Sequence, residues 1–179
     1  TALYGPDEME LYLVDFAEGF GVYATESLPH ARLVIARSDR ESGLGVLRSL
    51  MAELSRREAL LRTTSGRGRG LAELRRSTSE VVPRVVLLVD GSQELLCLDD
   101  EVGCAAADLL EQLIRKGGSL GIHVVLSSQS LEGLTALRHM ILACLPVRVV
   151  LFAHRGDARR TRTVVTDVEH HLNARENGI

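Results

Sequence analysis

Tryptophan is absent from this 179-residue chain, and only 3% of the residues are aromatic. A core made from it must be aliphatic, drawn from Leu, Val, Ile and Ala; the 45% hydrophobic content is enough to fill one. Lysine is almost absent as well. Of 21 basic residues, 20 are Arg and one is Lys116. A phosphate-binding P-loop ends in Gly-Lys-Ser/Thr. Lys116 is followed by Gly117 and Gly118, so the 179 residues contain no Walker A motif. There is no apolar run of 18 residues and no signal-like start, so no membrane span or export signal is expected, and the chain reads as cytoplasmic. The net charge of -3 excludes a uniformly basic nucleic-acid binder, although not a local basic patch. The cysteines, Cys97, Cys104 and Cys144, are odd in number and lack metal-ligand spacing. They are expected to be reduced, mostly buried thiols.

What is present is an alternation of apolar runs and amphipathic stretches. Short β-branched or aromatic runs predict strands at 10–15 and 32–36. Val85-Val86-Leu87-Leu88-Val89-Asp90 gives the strongest strand signal, at 84–90. So continuous an apolar run predicts a strand covered on both faces. Further strands are expected at 122–127 and 147–152. Leu44, Leu47, Leu50, Met51, Leu54 and Leu61 recur at helical spacing and predict a helix over 41–62, capped by Ser38 or Asp39. Arg48, Glu53, Arg56, Arg57 and Glu58 are placed on its polar face. A second helix is expected over 101–116, stopped by Gly117 and Gly118, and a third over 131–144. Residues 63–80 read as a flexible Arg/Gly-rich insertion with one helical turn near Leu71 to Arg76. Strands alternating with helices predict a single α/β domain with a mainly parallel sheet and helices on both faces.

In an open parallel sheet, ligands gather at the carboxyl ends of the strands. Three of these ends are polar here: Asp15, Asp90 and Ser127-Ser128-Gln129. An acid after an apolar strand can hold Mg²⁺, as in a Walker B motif, or simply cap a turn with Gly91. The strand alone leaves both readings open. Gln129 can likewise be a turn or helix-capping amide. His123, inside an apolar strand, reads as a core or interface histidine.

The order of the pieces narrows the choice. The strand into Asp90, the helix to Lys116, and Arg115-Lys116-Gly117-Gly118-Ser119-Leu120-Gly121-Ile122-His123 running into Ser127-Ser128-Gln129 resemble the FtsK/SpoIIIE family of RecA-like motor ATPases, which includes the type VII secretion ATPases. Pro6-Asp7-Glu8 followed by Leu11-Tyr12-Leu13-Val14-Asp15-Phe16, Leu28-Pro29-His30, and Glu53-Leu54-Ser55-Arg56-Arg57 are similar to further family stretches, in the same order. The resemblance runs from about residue 6 to 152. It implies a RecA-like, P-loop NTPase-type sheet. Asp90 would be the Walker B acid and a Mg²⁺ ligand, and Gln129 the side chain that reads the γ-phosphate. ATP and Mg would be the family's cofactors. It further implies a ring-forming homo-oligomer that moves DNA or a secreted protein, within a parent that can be membrane-anchored.

Two departures qualify that implication. The family's first strand and Walker A turn have no counterpart in the chain and would precede residue 1. The catalytic Glu that follows the Walker B acid is replaced by Gly91, and Glu94 is not its equivalent. The expectation is a partial or degenerate RecA-like domain, itself inactive as an ATPase. The alternative is a non-catalytic protein- or peptide-binding module on the same fold. Arg67, Arg69, Arg75 and Arg76 are candidate nucleic-acid contacts, set against the plainer reading of a solvated loop. Arg155, Arg159, Arg160 and Arg162 can pair with phosphates, with Asp157 or Asp167, or act on a neighbouring subunit.

Overall fold

In the computed structural model, the described residues are 3–17, 25–63, 70–98 and 100–129, together with 144, 145, 147 and 149. The chain divides into two compact units, Thr1–Cys144 and Leu145–Ile179, and the elements below belong to the first. The strands are β1 (Met9–Asp15), β2 (Ala31–Ile35), β3 (Arg84–Asp90) and β4 (Ile122–Leu126). The helices are α1 (Arg40–Thr63), α2 (Leu71–Ser77), α3 (Ser92–Leu96) and α4 (Glu101–Gly117). The expected helix at 131–144 and strand at 147–152 lie outside the described residues.

All pairings are parallel, in the order β2-β1-β3-β4. This is the parallel α/β sheet that the alternating runs predict. Register is continuous across the three strands β1, β3 and β4: Tyr12, Leu87 and Val124 share one row, and Leu13, Leu88 and Val125 the next. Every carboxyl end therefore points the same way, so that Asp15 and Asp90 are direct neighbours.

One face of this sheet carries most of the buried core. Val85, Leu87 and Val89 of β3 are buried, and so are Val14 and Ile122 on the flanking strands. α1 and α4 pack against each other. α4 comes so close to β4 that a Cβ on Gly117 would stand 2.7 Å from the Ile122 carbonyl oxygen. On the opposite face Leu13 is buried, Val86 and Leu88 are half-buried, and His123 and Val125 are exposed, so among the described residues cover there is partial. His123 accordingly lies outside the chain's core. Cys97 and Cys104, expected to be buried, are exposed.

α1 starts where its cap allows. Asp39 Oδ1 accepts from the Ser42 N–H at 2.6 Å, so Asp39 rather than Ser38 supplies the cap. Its buried stripe is Leu44, Leu47, Leu50, Leu54 and Arg57, three or four residues apart. Arg57 thus sits on the face opposite to its expected one. α4 is capped by Asp100, whose Oδ1 accepts from Gly103 N–H at 2.8 Å. It ends where expected, at Gly117 with Gly118 as its C-cap. Gly117 and Gly118 keep right-handed dihedrals, a 3-10 turn spans Gly118–Leu120, and the chain reverses at Gly121, with φ of 79°. Glycine adopts that angle at no steric cost, whereas a Cβ there would meet the Leu71 side chain at 2.5 Å. The helical turn expected near Leu71 to Arg76 is present as α2, and its Leu71 and Leu74 are buried.

Arg40 and Asp100 tie the starts of α1 and α4 together through a two-pronged ion pair at 2.6 and 2.7 Å. The Arg40 guanidinium, then the Gly103 N–H, hold the Asp100 carboxyl down to a pKa of about 2. Because the folded value lies below the unfolded one, the pair stabilises the fold above the ordinary carboxylate range and stops doing so as pH falls towards 2. Acid unfolding of Asp100→Asn should show a smaller loss of stability between roughly pH 4 and 2 than the parent chain. Identical acid limbs would show that the pair contributes nothing.

Candidate functional site

The carboxyl ends of β1, β3 and β4 meet at one edge of the sheet. Asp15 is 2% exposed, and its Oδ1 accepts from the Ala17 N–H at 2.6 Å. Its neighbour Asp90 is half-buried, with Oδ1 accepting from the Gly91 N–H at 3.0 Å. Each carboxylate therefore closes the turn that follows its own strand. Gly91 is left-handed, with φ of 67°, and serves as N-cap of the short helix α3. A Cβ there would lie 3.3 Å from the Ala17 nitrogen. The backbone itself thus favours glycine at the position where a water-orienting carboxylate would stand.

β3 and β4 are also stitched together beyond their ends. The N–H and Oγ of Ser92 both donate to the Ser127 carbonyl, at 2.9 and 2.8 Å. The Gln129 N–H donates to Gln93 Oε1 at 3.3 Å. Gln129 is exposed. The structure thus places Asp90 and Gln129 at one end of the sheet, as neighbouring strand ends require. Sequence reasoning missed Ser92 and Gln93. The signal that could have found them is the Gly-Ser pair opening a short helix immediately after the strand.

The arginines are elsewhere. Arg75 donates to the carbonyls of Val82 at 2.9 Å and Glu8 at 2.8 Å, both just before strands begin. Arg76 pairs with Glu73 at 2.9 Å. Both belong to the amino-end side of the sheet, away from Asp90. Arg67, Arg69, Arg155, Arg159, Arg160 and Arg162 lie outside the described residues. Arg57 joins the same amino-end framework. It is 1% exposed and donates to Glu53 Oε1 at 2.7 Å, the Leu120 carbonyl at 2.8 Å and the Pro83 carbonyl at 2.9 Å.

Mg-ATP requires a phosphate cradle and a metal-binding carboxylate. Among the described residues no three His, Cys, Asp or Glu side chains converge on one point. Asp15 and Asp90 each give an oxygen to their own turn. Lys116, in the last turn of α4, precedes β4 and so lies at the sheet's other end. The described residues do not fit Mg-ATP.

No family model matches the chain. It is 32% identical over 147 residues to the ESX-1 secretion system protein EccCa1 of Mycobacterium tuberculosis, an alignment that covers 74% of this chain and 19% of that protein. The chain is homologous to the EccC ATPases of type VII secretion. This bears out the resemblance to FtsK/SpoIIIE-type motor ATPase domains. The fold agrees. The cytoplasmic domain of the Thermomonospora curvata type VII secretion ATPase EccC superposes with a TM-score of 0.62 at 26% identity, covering 79% of this chain and 16% of that one. T. curvata EccC ATPases 2 and 3, solved in complex with a signal sequence peptide, give 0.61 at 28% identity, covering 78% and 25%. The chain therefore spans about a fifth of the EccC relative's length, and its sheet is a RecA-like one. No helix among the described residues is long and apolar enough to cross a membrane.

Proposed function

We propose that this chain is a RecA-like domain of a type VII secretion translocase that does not itself hydrolyse ATP and serves protein export rather than DNA transport. The homology to EccC supports the export system. ATP and Mg belong to that ATPase family as a whole. The observation that carries the non-hydrolytic assignment is Gly91. It follows the strand-end acid, is held left-handed, and offers no side chain to orient a water molecule. The parent's ring and the identity of its cargo are part of the same reading.

Phosphate release tests it. The chain is expected to show no Mg-ATP hydrolysis above background, and Gly91→Glu is expected not to rescue it. A carboxylate placed there meets an unfavourable backbone angle, and the 179 residues supply no P-loop to hold the phosphates. Turnover by the parent chain, or its appearance in Gly91→Glu, would contradict the assignment.

A further inference from the structure

At the sheet edge formed by β1 and β2, a cavity of about 460 Å³ opens beneath α1. Its volume falls in the usual ligand-pocket range of roughly 300–1,000 Å³. Leu50 and Val85 give it a buried apolar wall; Val81, 65% exposed, stands on its lining, and Glu10, Tyr12 and Arg32 supply the polar groups. We propose that this cavity docks an acidic side chain of a partner peptide, with Arg32 and Tyr12 binding the carboxylate. The choice of a peptide rests on the export reading above; the chemistry rests on the cavity.

Arg32 stands close to the Tyr12 phenol on the cavity's lining. A guanidinium has no acceptor, so the Tyr12 O–H does not donate to it and remains to donate elsewhere. Burial first, and then the nearby Glu10 carboxylate, push the Tyr12 phenol above its ordinary pKa, which keeps that proton in place at neutral pH. Among the described residues no ion pair joins Arg32 to Glu10 or to any other carboxylate. The other two arginines on the lining differ. Arg56 is taken by Glu53 and Glu80, and Arg57 by Glu53 and two carbonyls. Two donors with spare capacity thus face one cavity, and a carboxylate is the group that satisfies both. Glu10 narrows the choice further. Its charge disfavours a dianionic phosphate and suits an adjacent main-chain N–H of the peptide. Val81 and the apolar wall suit a flanking aliphatic side chain.

The test is a titration of the ¹⁵N-labelled chain, followed by NMR, with the capped tripeptide acetyl-Leu-Glu-Val-amide. Its Gln counterpart and inorganic phosphate serve as controls. The Glu peptide should give saturable shifts at Tyr12 and Arg32, and should bind about tenfold more tightly than the Gln peptide, the loss expected for one charge-assisted contact. Arg32→Gln should weaken the Glu peptide about as much. Tyr12→Phe, which keeps the wall and removes only the O–H, should weaken it by less. Equal binding of Glu and Gln peptides, phosphate binding in preference to either, unchanged affinity in Arg32→Gln, or no shifts at all would each overturn the proposal. These outcomes are independent of phosphate release, so the docking site can fail while the non-hydrolytic assignment stands.

Discussion

Leu87→Asp is expected to destabilise the chain by about 4 kcal/mol or more, the cost of leaving a charge unpaired in a dry core. Leu87 is fully buried in the middle of β3, between β1 and β4, on the face that α1 and α4 cover. Its row neighbours, Tyr12 and Val124, offer a carboxylate no cation. Val86→Asp, one residue away, points to the half-open face, where Val86 is only partly buried. Its cost should be clearly smaller, since water can reach the charge. Chemical denaturation of both variants reads the difference directly. Equal costs would mean that the second face is as dry as the first.

Arg57→Ala should cost about 3 kcal/mol, in the range found when one partner of a buried charge pair is removed. The substitution frees the carbonyls of Leu120 and Pro83 at once, takes one cation from Glu53, and leaves a void beside Leu54 on the buried stripe of α1. Since those carbonyls lie just before β4 and β3, the loss should also loosen the amino ends of both strands. Hydrogen exchange should therefore accelerate there before it does at the carboxyl end. Arg56→Ala is the natural control. Arg56 is exposed and its ion pairs are solvated, so its removal should cost under about 1 kcal/mol. Comparable losses for the two arginines would contradict the keystone role of Arg57.

These two residues also show what the sequence could and could not reveal. β3 is legible because five consecutive apolar residues, Val85 to Val89, three of them β-branched, admit little else, and its end at Asp90 follows from the same pattern. The spacing of Leu44, Leu47, Leu50 and Leu54 likewise defines α1. Arg57 is misplaced by such a pattern because hydrophobicity assigns charged residues to solvent. Only the tertiary position of two carbonyls, 26 and 63 residues further along the chain, makes a guanidinium suitable for burial. The stop of α4 at Gly117 and Gly118 is legible, but the 3-10 turn that carries the chain reversal on to Gly121 is not. At the carboxyl end, Asp90, Gln129 and the substitution at Gly91 are all visible in the sequence. The Ser92–Ser127 stitch is not, because its partners are 35 residues apart. The Tyr12–Arg32 cavity is invisible for the same kind of reason: it depends on β2 pairing beside β1, with a register shift between Leu11 and Tyr12.

We propose that the carboxyl end of the sheet carries a structural turn rather than a nucleotide site. Calorimetric titration of the chain with Mg-ATP tests it most directly. A P-loop domain gains its affinity from a phosphate cradle and a metal completed by nucleotide oxygens, neither of which the described residues supply. The expected result is no saturable heat at micromolar protein and nucleotide, with Asp90→Ala indistinguishable from the parent chain. Micromolar binding that disappears in Asp90→Ala would contradict the account, because it would make the Asp90 carboxylate a metal-nucleotide ligand rather than the cap of its own turn.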